Sequence, residues 1–288
     1  MNYYKDFDFK QADKMIELAL VEDKGDGDVT SEILIPAAKN SVAEILVKEP
    51  CVLAGTEIFK RVFAKVDKKI RVTFFVKEGE RISRKQVVGE ITGNTRRILL
   101  GERLALNILQ RMSGVATATY EFTKKLSNKN IKVIDTRKTT PNMRLFEKVA
   151  VRIGGGANHR MGLYDMMLIK DNHIESNGGI WNTMEKLKKM KRRIEVPVEI
   201  EAKDLEEVRV IAENGKGIVD RIMLDNFPIN EIDEAVKICK GNFEIEVSGG
   251  INRNTISDYK KQKGIDFISV GALTHSVKSI DISLEFIT

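Results

Sequence analysis

The sequence predicts an α/β fold whose larger part is a parallel barrel wrapped by helices, with a smaller α/β region before it. Two observations carry this. From residue 132 onward, short apolar runs alternate with polar stretches of helical period, at 132–135, 165–169, 196–200, 221–224, 243–247 and 267–270. Alternation of this kind implies parallel strands joined by helical crossovers. A polar or glycine cluster also stands at the carboxyl end of each run. In order these are Thr136-Arg137-Lys138, Lys170-Asp171-Asn172, Glu201, Asp225-Asn226, Ser248-Gly249-Gly250 and Gly271. Active sites of α/β barrels collect on that rim. A doubly wound open sheet satisfies the alternation as well, and is the competing architecture.

The first third is patterned differently. Ala12, Met15, Ile16 and Ala19 recur at helical spacing and predict a helix over 9–21. The acidic stretch 22–28 lacks the full ligand alternation and terminal glutamate of a calcium loop, so it reads as a solvated turn. Strands are expected at 42–47, 71–76 and 87–91, with a helix over 58–66. The last two strands look like the hairpin of lipoyl-type domains, without the modifiable lysine. Over 94–126, Leu99, Leu100, Leu104, Ile108 and Met112 share one side of a long helix, and Gly114 is the point where it would break in two. No proline- or serine-rich linker interrupts the chain.

Composition narrows the function classes. The 288 residues suit one barrel-sized domain, or a barrel plus a modest partner. At 42% hydrophobic and 31% charged, the chain has ample material for a core, which excludes a wholly disordered protein. Apolar runs such as 98–100 fall far short of the roughly 20 residues that span a bilayer. Residues 1–10 show no apolar signal core. Cys51 and Cys239 form neither a disulfide framework nor a metal motif. A cytoplasmic protein with no membrane partner is the expectation. The 48 basic and 42 acidic residues leave a net charge of +6, but the signs are interleaved. The one dense basic run, 186–193, reads as a solvated helix face, and no basic-aromatic array exists to stack bases. Nucleic acid is therefore not expected, and the surplus charge suits a small anionic ligand.

The clusters divide by chemistry. Ser248-Gly249-Gly250-Ile251 follows a strand and is expected to open a helix, so that backbone N–H groups and the helix dipole face an anion. Val270-Gly271-Ala272 ends the next strand, and late adjacent strands of barrels commonly bind phosphate. Arg137, Lys138 and Lys170 bring cations. The loop Gly154-Gly155-Gly156-Ala157-Asn158-His159-Arg160 adds a histidine and an arginine, without the context of a dinucleotide fingerprint. Guanidinium groups match carboxylates and phosphates bidentately. Lys170 alone could be a Schiff-base lysine, yet the other cations crowd the same rim. His159 is not expected to bind metal, because His173 and His275 lack the spacing. Glu201 and Asp225 supply negative charge from adjacent strands, suited to holding magnesium or to stabilising a developing cation. A glycosidase pair would not need so many cations. No Ser–His–Asp or Cys–His arrangement is visible, so the chemistry reads as electrostatic.

At these residues the sequence resembles the quinolinate phosphoribosyltransferase family (nicotinate-nucleotide pyrophosphorylase, carboxylating). The resemblance is carried by Gly101-Glu102-Arg103-Leu104-Ala105-Leu106-Asn107, Ser113-Gly114-Val115-Ala116-Thr117 and Asp135-Thr136-Arg137-Lys138-Thr139-Thr140-Pro141. It continues through 154–160, Leu168-Ile169-Lys170-Asp171-Asn172-His173, Leu224-Asp225-Asn226-Phe227, Glu246-Val247-Ser248-Gly249-Gly250-Ile251 and 269–276. It runs in order from about residue 22 to 284. Asn142, where glycine often follows the proline, and Val247, where alanine is usual, are the departures, and neither touches a charged role.

The resemblance implies an incomplete parallel α/β barrel, residues 113–276, with a smaller N-terminal α/β domain, residues 1–112, joined by 277–288. It implies transfer of phosphoribose from phosphoribosyl pyrophosphate to quinolinate with decarboxylation, and with Mg2+. By similarity Arg103, Arg137, His159 and Arg160 face the quinolinate carboxylates, with Arg103 given in trans across a homodimer or a multiple of dimers. Lys138, Lys170, Glu201 and Asp225 would act on ribose, pyrophosphate and magnesium. The two carboxylates would meet the metal directly or through water or substrate. Thr136, Ser248, Gly249, Gly250, Ser269, Val270 and Gly271 would contact substrate, the last six its phosphate. A related pyrophosphorylase-like protein linked to molybdate transport shares much of the pattern and is the alternative within this class.

Overall fold

In the computed structural model, which describes residues 2–287, helices α1 (Phe9–Lys24) and α2 (Val29–Leu34) open the chain. They precede β1 (Asn40–Val47), β2 (Cys51–Val52), α3 (Thr56–Val66), β3 (Arg71–Phe74), β4 (Arg81–Ile82), β5 (Gln86–Asn94) and the long α4 (Thr95–Leu126). Next come β6 (Lys132–Ile134), α5 (Arg144–Ile153), β7 (Met167–Ile169), α6 (Asp171–Ser176) and α7 (Ile180–Met190). The remainder is β8 (Val198–Ala202), α8 (Leu205–Asn214), β9 (Arg221–Asp225), α9 (Ile229–Cys239), β10 (Glu244–Ser248), β11 (Phe267–Ser269), α10 (Ala272–His275) and β12 (Ile282–Phe286). The chain divides into two units. One gathers residues up to 120, 139–155 and those from 273 on; the other comprises 121–138 and 156–272.

The first unit is built on a four-stranded sheet in the order β12-β1-β5-β3, antiparallel throughout. The period of two along β1 buries Ala43, Ile45 and Val47 on one face. Helix α3 buries Ile58, Phe59, Val62 and Phe63, with Phe59 meeting Phe63 and Phe74 at ring separations of 5.1 and 5.6 Å. Two expectations are corrected here. Residues 22–28 are not one loop. Helix α1 continues to Lys24 and ends at Gly25 (φ +52°), and the Asp28 side chain accepts from Ser31 N at 2.9 Å, which caps α2. Helix α4 passes through Gly114 unbroken. A Cβ there would collide with the Lys278 carbonyl oxygen, so glycine serves close backbone approach and not a break. Among the described residues no helix is long and apolar enough to cross a membrane.

In the second unit six parallel strands are ordered β6-β11-β10-β9-β8-β7. Strands β7 to β11 follow one another in space as in sequence, and β11 returns to lie beside β6. That circular order is a barrel, open between β6 and β7. A doubly wound sheet would instead reverse its strand order at a switch point. Ala157 bridges the free side of β6, its N–H bonding Val133 O at 2.9 Å.

Alternation divides the barrel strands. Val198, Ile200, Ile222, Leu224, Ile245, Val247 and Ile268 are buried on one phase, and Val208, Ile211, Ile232 and Ala235 of the surrounding α8 and α9 are buried as well. The other phase brings Glu199, Glu201, Arg221, Glu246 and Ser269 together, all buried. Barrel interiors are ordinarily filled by branched aliphatic side chains. Here the interior is charged.

Candidate active site

Because the six strands are parallel, residues leaving their carboxyl ends gather at one end of the barrel. Thr136, Arg137 and Lys138 leave β6, and Lys138 N donates to Thr136 Oγ1 at 3.0 Å. Lys170 leaves β7, caps α6 and places Nζ 2.6 Å from Glu201 Oε1; Asp171 N reaches Glu201 Oε2 at 3.2 Å. Glu201 was expected just beyond its strand, but β8 begins after Pro197 and runs through it to Ala202. The side chain is therefore 10% exposed, whereas that of Lys170 is 46% exposed. This pair joins a sunken carboxylate to a cation open to solvent.

Asp225 ends β9, with Oδ2 accepting from Asn226 Nδ2 at 2.8 Å. Asn226 N in turn donates to Ser248 O at 2.9 Å, tying β9's exit to β10's. Gly249 (φ +98°) and Gly250 (φ +61°) follow in the left-handed region. A Cβ on Gly249 would overlap Asn226 Oδ1, so only glycine fits this turn. The expected helix does not open here. A loop leads to a 3-10 turn over Ile256–Lys261, so the turn's own N–H groups remain and a helix dipole does not. Val270 N–H is already given to Ile134 O at 3.0 Å. Gly271 precedes the four-residue α10, and Ser269 lies buried on the strand phase that faces the barrel interior.

The arginines are the sharpest electrostatic feature. Arg160 is 9% exposed, and its Nη1 donates to Met166 O at 3.1 Å. Burial, and then the nearby Arg137 guanidinium, hold its proton affinity below the ordinary arginine value. A buried guanidinium beside a second one suits an anion, because a ligand of opposite charge offsets both the burial and the repulsion. His159, the neighbour of Arg160, turns inward. Its Nε2 lies 2.8 Å from Glu199 Oε2 and 3.7 Å from Glu246 Oε2. Arg103 lies exposed on α4, in the first unit; every other expected site residue belongs to the second.

Several participants were not singled out in the sequence. Asp135, fully buried, accepts from His159 N at 3.0 Å and from Asn158 Nδ2 at 2.5 Å. Arg221 Nη1 lies 3.0 Å from Glu246 Oε2, and its Nε and Nη2 bond Glu244. Burial raises Glu199 to about 7, and burial followed by the charge of Glu199 raises Glu246 to about 8. A glutamate inside an apolar strand was the available signal.

Two family models match the chain. The quinolinate phosphoribosyl transferase N-terminal domain matches residues 28–113, and the C-terminal domain matches residues 115–285. The chain belongs to the quinolinate phosphoribosyltransferase family. It is 40% identical over 297 residues to quinolinate phosphoribosyltransferase (decarboxylating) 2b, mitochondrial, of Nicotiana tabacum, covering 98% of this chain and 83% of the relative. It is 41% identical over 289 residues to nicotinate-nucleotide pyrophosphorylase (carboxylating), chloroplastic, of Arabidopsis thaliana, covering 95% and 82%. The solved nicotinate-nucleotide pyrophosphorylase of Francisella tularensis superposes with a TM-score of 0.88 at 39% identity, covering 96% of each chain.

The charged interior of this family member gives its stability a signed pH dependence. Glu199 and Glu246 hold protons more tightly folded than unfolded, where a glutamate titrates near 4.5. Folding takes up protons between these values, so stability is greatest at the acid end of the window and falls as pH rises toward about 8. Glu246→Gln carries no titrating proton and should lose a large part of that slope. Urea midpoints of both proteins at pH 5 and pH 8 check this, and identical slopes would count against it.

Proposed function

We propose that the chain transfers the phosphoribosyl group of phosphoribosyl pyrophosphate to quinolinate with decarboxylation. The products are nicotinate mononucleotide, pyrophosphate and carbon dioxide, a step of de novo NAD biosynthesis. The names of its relatives support this. The observation that carries it is the sorting of one rim into a buried and a half-buried arginine, exposed lysines and two carboxylates. Quinolinate bears two adjacent carboxylates, which suit Arg137 and Arg160, with Arg103 delivered by the partner subunit of a homodimer or a multiple of dimers. Lys138 and Lys170 stabilise the charge on departing pyrophosphate, while Glu201 and Asp225 face the ribose and its oxocarbenium-like charge. Thr136 and the Ser248-Gly249-Gly250 turn line the substrate, and the 269–271 segment backs its phosphate.

The quinolinate ring nitrogen attacks the anomeric carbon as the bond to pyrophosphate breaks. The ring, now a pyridinium, draws the electrons of the bond to the carboxylate at ring carbon 2. Carbon dioxide leaves, and a proton takes its place on that carbon.

Magnesium fits an all-oxygen, half-open carboxylate site of this kind, because it retains waters and binds through one or two carboxylates together with substrate phosphates. Glu201 already gives both oxygens to Lys170 and Asp171 N. Asp225, with one oxygen engaged at the rim, is the better direct ligand, and Glu201 would act through water or substrate. Bound there, the ion would neutralise charge on the diphosphate.

Two experiments test this reading. Nicotinate lacks the second carboxylate and leaves a buried guanidinium unpaired, which costs roughly 2–5 kcal/mol. Its kcat/KM should fall at least about 30-fold below that of quinolinate; equal values would sink the assignment.

The arginine in trans is tested by complementation. Arg103→Ala and Lys138→Ala homodimers should each be nearly inactive. Refolded together they form heterodimers in which one site carries both lesions and the other neither, and part of the activity returns. Verified subunit exchange without recovery would mean that Arg103 does not act across an interface.

A further inference from the structure

Beneath the rim, a series of close polar contacts joins the barrel's buried glutamates to Arg160. His159 Nδ1 accepts the backbone N–H of Arg160 at 2.7 Å. An imidazole nitrogen that accepts cannot carry a proton, so in the neutral ring the proton is on Nε2. Nε2 faces Glu199 Oε2 at 2.8 Å, with Glu246 Oε2 at 3.7 Å.

These three side chains lie close enough together to resemble a metal site. The Nδ1 bond argues against that. A metal-bound imidazole donates its second N–H outward, whereas here the second nitrogen accepts. A protonated Nε2 has no lone pair for a cation, and Arg221 already supplies positive charge to Glu246 at 3.0 Å. Asp135 fixes the same segment from the other side through His159 N.

We infer that Glu199 is a positioning residue for the carboxylate-binding arginine: it fixes His159 as the Nε2–H tautomer, and that ring holds the backbone of Arg160. Glu246 lies 3.7 Å from the same ring nitrogen and is itself bonded by Arg221. His159 thereby works behind Arg160, and not by touching quinolinate. Without the carboxylate, Nε2–H loses the negative charge 2.8 Å away that favours it, the ring is free to turn over, and the buried N–H of Arg160 loses its partner. This inference rests on the reading of Arg160 as a quinolinate ligand.

The test has an arm that needs no substrate. The chain holds three histidines, so long-range proton–nitrogen spectra of protein with labelled imidazoles are readily assigned. At pH 8 the His159 signal, identified by its loss in His159→Gln, should show a neutral Nε2–H ring. Glu199→Gln, which keeps a carbonyl oxygen beside Nε2, should keep that tautomer; Glu199→Leu should lose it.

The kinetic arm measures both substrates. Glu199→Leu should raise the quinolinate KM about tenfold or more, the effect of an unmade buried hydrogen bond. The KM for phosphoribosyl pyrophosphate should move less than about twofold, and Glu199→Gln should recover most of the loss. A His159 ring protonated at Nδ1 in the unaltered chain overturns the inference, even if the leucine variant does not fold. Equal rises in both KM values overturn it as well. No turnover of quinolinate by the unaltered chain would instead refute the proposed reaction, and the tautomer would still decide the relay.

Discussion

Three glutamates on inward positions of β8 and β10, Glu199, Glu201 and Glu246, constrain everything else in the barrel. Burying charge costs several kcal/mol per group unless a partner meets it. Each glutamate has a different basic side chain close by: Arg221 lies 3.0 Å from Glu246, His159 2.8 Å from Glu199, and Lys170 2.6 Å from Glu201 at the rim. The interior thus sets a basic side chain beside each acid, and the Glu201–Lys170 pair opens at the rim.

This arrangement explains why the rim can hold so many cations without collapsing onto the acids beside them. Lys170 is fixed by Glu201 yet remains half in solvent, ready for a mobile anion. Arg160 is held by its backbone and by one carbonyl bond, so its guanidinium is not consumed by a protein carboxylate. Preorganised charge of this kind needs little rearrangement when charge develops on the substrate, which is how electrostatic catalysis gains most.

Much of this was legible in the sequence because parallel strands announce their ends. The polar residues after each apolar run are where the chain leaves the sheet, so Arg137, Lys138, Lys170 and Asp225 could be read directly. What lay inside the barrel could not. Glu199 and Glu246 sit within apolar runs, and their phase becomes informative only when strand register brings them to one interior. The helix expected after Ser248-Gly249-Gly250 failed for a local reason: the turn is shaped by its contact with Asn226 and not by a following helix. Gly114 misled in the opposite sense, since its lack of a side chain accommodates the Lys278 carbonyl while α4 runs on. Arg103 shows the limit, because a lone arginine on an exposed helix face carries no sign of any site in its own sequence surroundings.

The central claim is that this charged rim performs transfer and decarboxylation on one substrate. The most direct measurement supplies phosphoribosyl pyrophosphate and quinolinate labelled in the carboxyl carbon attached to ring carbon 2, and counts labelled carbon dioxide against mononucleotide formed. One carbon dioxide per nicotinate mononucleotide is the predicted result. A mononucleotide that keeps the label, or carbon dioxide released without phosphoribosyl transfer, would contradict the account.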